Sequence, residues 1–150
     1  MRDTCKLIIT FRTHAQGERW GPREVLVFAY NNQWSSYFIK TDGEKMETIQ
    51  KVSVEVYKIE RLWEQIIEND ILSIRSENEL HDDPCFESSS IFGGVEDGSG
   101  TEFEFLTPAD YKLLSYYQPK EYASFCLSPE REKFAKILPL AGQMYYPLKR

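Results

Sequence analysis

The chain has 150 residues, 41% hydrophobic and 14% aromatic, which is enough apolar material for one packed core. No window reaches the roughly 18 consecutive apolar residues that a membrane-spanning helix needs. With 18 basic against 24 acidic side chains the formal net charge is -6, which argues against a phosphate backbone as partner and so against nucleic-acid binding.

In chain order, the segment CKLIITFRT at residues 5–13 alternates and is rich in β-formers. It reads as a strand rather than as the apolar part of a leader, and cytoplasm is the expected location. EVLVFAY at 24–30 follows a connection with Gly, Trp and Pro, and the Asn31-Asn32 pair, which tolerates positive φ, joins it to QWSSYFIK as a hairpin. Asp42-Gly43 marks a further turn, and EKMETIQ follows as a third antiparallel strand of the meander.

Val56, Ile59, Leu62, Trp63, Ile66 and Ile67 recur at helical spacing, with Glu60, Arg61, Glu64, Gln65 and Glu68 on the other side. That pattern predicts an amphipathic helix from about Ser53 to Asn69, although VSVEV at its start alternates like a strand. A short apolar run, ILSI, precedes a polar stretch. GGVEDGSG at 93–100 then predicts a turn, with Gly98 or Gly100 supplying positive φ.

TEFEFLT alternates with Phe103 and Phe105 on one face and Glu102, Glu104 and Leu106 on the other, and residues 107–110 turn into YKLLSYY. Ser128 as N-cap and Pro129 at the first helical position start a helix that buries Phe134, Ile137 and Leu138, which Pro139 should limit or kink. The expected fold class is α+β. It is a single domain over 1–150, with a twisted, mostly antiparallel sheet of about five or six strands and two helices on one face.

The one crowded chemical stretch is HDDPC, in which His81, Asp82, Asp83 and Cys85 fall within residues 81–85. A metal site needs ligands that converge from several chain positions, and a nucleophile–base pair is normally spatial rather than sequential, so a solvated turn is the preferred reading. No metal site and no cofactor is expected. GGVEDGSG carries acids where a phosphate loop needs lysine, and its carboxylates miss the calcium-loop spacing. Cys5, Cys85 and Cys126 have neither paired nor C-x-x-C spacing, so reduced and mostly buried thiols are expected. Arg12, Arg19 and Arg23 around His14 read as ion-pair sources, because Glu18 and Glu24 dilute them. Most of the tyrosines read as core or cross-strand pairs, with some at the rim of a binding surface.

Charge is the more informative feature. Residues 60–104 contain 13 Asp or Glu against Arg61 and Arg75, a segment charge of 2 minus 13, or -11, while the remainder sums to +5. Such asymmetry steers a basic partner toward one face. The expected function is therefore a non-enzymatic interaction module, an inhibitor or immunity-type protein that binds a basic protein through Asp82, Asp83, Glu87, Glu96 and Asp97. The alternative is a small hydrolytic or metal-dependent enzyme built on the segment from His81 to Cys85.

Overall fold

Alternation of apolar and polar residues builds a six-stranded antiparallel sheet in the order β4-β3-β2-β1-β5-β6. The strands are β1 (Leu7–Ala15), β2 (Arg23–Tyr30), β3 (Trp34–Asp42), β4 (Lys45–Val52), β5 (Ser99–Leu106) and β6 (Tyr111–Tyr117). Helix α1 (Val56–Glu68) links β4 to β5, and helix α2 (Pro129–Tyr145) follows β6. The computed structural model describes residues 5–15, 23–42, 45–80, 99–117 and 128–149. This is the α+β architecture expected from the sequence, with both helices contributing to one core on one face of the sheet.

Register shows why that face is buried. Leu114, Phe103, Phe11, Leu26 and Phe38 stand opposite one another across five neighbouring strands, and Phe105, Ile9 and Phe28 form the next row. All eight are buried. Because strand side chains alternate faces, these rows send Arg12, His14, Glu102 and Glu104 to the opposite side of the sheet. Two of the turns follow expectation: Asn32 takes a left-handed φ of 65°, and Thr107 closes the β5–β6 turn with paired bonds to Asp110 of 2.9 Å.

The ambiguous VSVEV segment divides between strand and helix. β4 ends at Val52, and residues 53–55 form a connection in which Ser36 Oγ donates to the Val52 carbonyl at 2.8 Å and accepts from the Val54 amide at 3.3 Å. Of the six apolar positions expected to face inward on α1, Ile59, Leu62 and Ile66 are buried and Trp63 packs partly against the core. Val56 and Ile67 are 48% and 53% exposed, contrary to the periodic reading. They are eleven residues apart, about three turns, so they share one azimuth at the border of the solvent face.

α2 departs from expectation in two ways. It runs through Pro139 to Tyr145 instead of stopping there. The lost backbone bond costs about 3 kcal/mol, but Ala141, Met144 and Tyr145, all buried beyond the proline, more than offset it. Ser128 occupies the N-cap position without a side-chain cap, so its Oγ leaves the orphan amides to the backbone, and Glu130 and Glu132 supply the favourable charge in the first turn.

The two sheet edges are treated differently. The outer backbone of β6 is met by side chains: Ser76 Oγ accepts from the Ser115 amide at 2.8 Å, and Glu77 Oε2 accepts from the Tyr117 amide at 2.8 Å. β4 has no such cover among the described residues, but its ladder with β3 slips register between Lys40 and Thr41, and Lys45 and Lys51 are exposed along it. A broken register and lysines both discourage pairing with another chain.

Candidate functional site

The expected partner-binding residues Asp82, Asp83, Glu87, Glu96 and Asp97, together with His81 and Cys85, lie outside the described residues. The other eight acids of the negative segment do not share one role. Glu77 is paired with the buried Arg131, Nη1 to Oε1 at 2.6 Å, and Glu79 closes a capping box with Ser76, whose amide donates to Glu79 Oε2 at 2.7 Å. Glu102 and Glu104 sit half-buried on the sheet face turned away from the helices. The described acids therefore divide between two sides of the molecule, and only those of α1 and Asp70 extend into solvent as a group.

On that helix Glu60, Glu64 and Glu68 recur every fourth residue, a spacing that puts them on one stripe of the exposed side. Like charges at that spacing repel, each pair by roughly 0.2–0.5 kcal/mol. Neither Glu60 nor Glu64 forms an ion pair among the described residues, and Arg61 is the one cation on their flank, since Lys58 is held by Glu55. Glu68 also opposes the helix dipole. No acid lies in the first turn and no base in the last, where Glu68 and then Asp70 sit next to the negative end. Asp70 adds a left-handed φ of 54° just beyond the helix end, a conformation that favours glycine.

Beside the acids the same stripe exposes apolar surface. Val56 stands one turn before Glu60 and Ile67 one turn after Glu64, both on the same side of the stripe, and Tyr57, 59% exposed, stands one turn before Glu60. The result is a ridge of three carboxylates edged by three uncovered apolar side chains. In the sequence these glutamates read only as the solvated side of an amphipathic helix, although their four-residue repeat was visible there.

The far face of the sheet holds the one histidine among the described residues. Arg12 grips Glu102 through Nε and Nη2, His14 Nε2 lies 3.5 Å from Glu102 Oε1, and Ser115 Oγ donates to the same oxygen at 3.4 Å. Gly100 is part of this arrangement. It lies within β5, not in a turn, and an added Cβ would stand 2.3 Å from His14 Cε1, so its missing side chain makes room for the imidazole. The basic residue Arg12 thus acts as the ion-pair source expected of it. Ser115 is directed at the carboxylate, not at the imidazole, so these groups do not form a serine nucleophile with a histidine base.

Among the described residues no three His, Cys, Asp or Glu side chains are placed to hold a metal ion, and no helix is long and apolar enough to cross a membrane. Cys5 is a free, half-buried thiol. Neither a protein-family model nor a curated protein matches the chain.

Proposed function

We propose that the protein is a non-enzymatic interaction module that docks a basic protein partner on the acidic ridge of α1, as an inhibitor or immunity-type protein does. One observation supports this reading above the others: Glu60, Glu64 and Glu68 are set against one another, and Glu68 also against the helix dipole, in the open, beside exposed Val56, Tyr57 and Ile67. An arrangement that weakens the free helix is relieved when cations approach it, because repulsion between the carboxylates turns into attraction for the partner. The apolar side chains supply contact area that excludes water around those charges. Asp82, Asp83, Glu87, Glu96 and Asp97 add five further negative charges to the chain between α1 and β5.

The test compares capture of basic host proteins by the intact chain and by two variants. One carries Glu60→Lys, Glu64→Lys and Glu68→Lys, and the other carries Asp82→Asn, Asp83→Asn and Glu87→Gln. A basic partner retained by the intact chain should be lost by the lysine variant, be weakened in the second, and bind less tightly as salt rises. Binding that ignores both salt and the lysine substitutions would reject the proposal.

A further inference from the structure

A second surface, on a different part of the molecule from α1, has the makings of a small-molecule site. A cleft of about 560 Å³ opens between the ends of β1 and β5 and the last turns of α2. Its size falls within the usual range for small-ligand pockets, roughly 300–1,000 Å³. We propose that this cleft binds an uncharged saccharide of one or two rings, stacked on Tyr146 and hydrogen-bonded by Ser99, Thr101 and Gln143.

The first support is the ring. Tyr146 is 60% exposed, yet it is seated: Gly142, one turn earlier, lets the ring lie against the helix, where an added Cβ would be only 3.0 Å from its Cε2. Tyr145 braces it edge-on, with the centroids 5.5 Å apart. Tyr145 is itself fixed, because its hydroxyl donates to the Glu24 carbonyl at 3.0 Å and its ring meets Phe11 edge-on at 5.2 Å. Burial pushes its phenol up, with hydrogen bonds from Thr13 pulling the other way, so the group stays a neutral anchor near pH 7. A flat apolar face is thereby held open at the mouth of the cleft. The C–H face of a pyranose ring suits such a surface.

The second support is the polar inventory. Ser99, Thr101 and Gln143 line the cleft, and none of the three makes a side-chain hydrogen bond within the described residues. Thr101 is the telling one. It is only 5% exposed, it lines the cleft, and its hydroxyl makes no hydrogen bond among the described residues. Two hydroxyls and an amide each donate and accept, which matches sugar hydroxyls that do the same. The described lining contains no carboxylate, ammonium or guanidinium, so an ionic ligand would meet no counter-charge. A nucleobase is less suited, since one tyrosine face offers no sandwich and a nucleotide's phosphate would find no cation in the described lining.

The test is titration of the intact chain with neutral disaccharides (maltose, cellobiose, lactose and chitobiose), read as amide shift changes at residues 99–101 and 142–146 by NMR. Adenosine and glucuronic acid serve as competing ligand classes. At least one neutral disaccharide should saturate those shifts at a concentration below about 10 mM. Tyr146→Ala should weaken it by about tenfold or more. Thr101→Val should weaken it several-fold while the protein still folds cooperatively, because that hydroxyl makes no hydrogen bond among the described residues. Three results would overturn the proposal: no saturation by any of the four sugars, tighter binding of adenosine or glucuronic acid, or full binding retained by Thr101→Val.

Discussion

The two helices pack against each other on the same sheet, yet they handle charge in opposite ways. On α2 nearly every charge is matched: Glu130 with Arg75 at 2.9 Å, Arg131 with Glu77 at 2.6 Å, Lys136 with Glu132 at 3.7 Å and Lys133 with Asp70 at 3.9 Å. Its acids stand in the first turn, where the dipole favours them. On α1 the three glutamates face one another, and Glu68 stands at the unfavourable helix end. The contrast shows that this chain arranges charge for stability where the helix is clamped into the fold. It forgoes that arrangement on the outward side of α1, where Glu60 and Glu64 form no ion pair among the described residues.

Removing the best-matched charge should have the largest effect. Arg131 is 2% exposed, packs its guanidinium 5.8 Å from the Tyr116 ring centroid and ties Glu77 to α2, while Glu77 also holds the Tyr117 amide of β6. Arg131→Ala should lower the unfolding free energy by about 3–5 kcal/mol, because it leaves a cavity and a carboxylate without its cation. Arg131→Met keeps most of the volume and should recover a large part of that loss. Urea unfolding of both variants provides the measurement, and a loss under about 1 kcal/mol for the alanine variant would break the description of α2 as a clamp.

The Arg131–Glu77 pair also marks where sequence reading stops. The strands were legible because alternation is local: Phe103 and Phe105 against Glu102 and Glu104 fix a face without knowledge of any partner. α1 was legible from its period, but the period could not say how wide the buried stripe is, so Val56 and Ile67 were misplaced. Pro139 was read by its intrinsic preference, which burial of Ala141, Met144 and Tyr145 overrides. The role of Gly100 depends on His14 on a neighbouring strand, and the cover over β6 depends on Ser76 and Glu77 some 39 and 40 residues away in the chain. No local spacing encodes such meetings. The HDDPC segment and the acids at 82, 83, 87, 96 and 97 fall outside the described residues, whereas the glutamates of α1 show in the sequence only as the solvated side of a helix.

The α1 side of the comparison is sharpened by improving the helix. Glu64→Lys turns two repulsive four-residue pairs into attractive ones with Glu60 and Glu68, and should stabilise the free protein by about 0.5–1 kcal/mol. The same substitution should weaken binding of a basic partner. A helix whose charges served only solubility would gain stability and lose nothing. Paired measurements of melting temperature and partner affinity on this single variant therefore separate the two accounts, and an unchanged affinity would favour the solubility account.

The smallest effect concerns the Glu130–Arg75 pair at the start of α2. Burial pushes the Glu130 carboxyl up, but the Arg75 guanidinium, the helix-start backbone and Ser128 together outweigh it and hold the group below its ordinary value of 4.5. A carboxyl depressed in the folded state binds its proton less readily than in the unfolded chain. Its stabilising contribution is therefore complete above pH 4.5 and is lost as the pH falls through the lower, folded value. Glu130→Gln should accordingly be less stable than the parent by roughly 0.5–1 kcal/mol at pH 7, since Arg75 is half-exposed and screened. That difference should shrink as the pH is lowered below 4.5. Urea midpoints for the two proteins at pH 7 and in the acid range decide the matter, and a gap that stays constant with pH would place the stabilisation in the shape of the side chain and not in its charge.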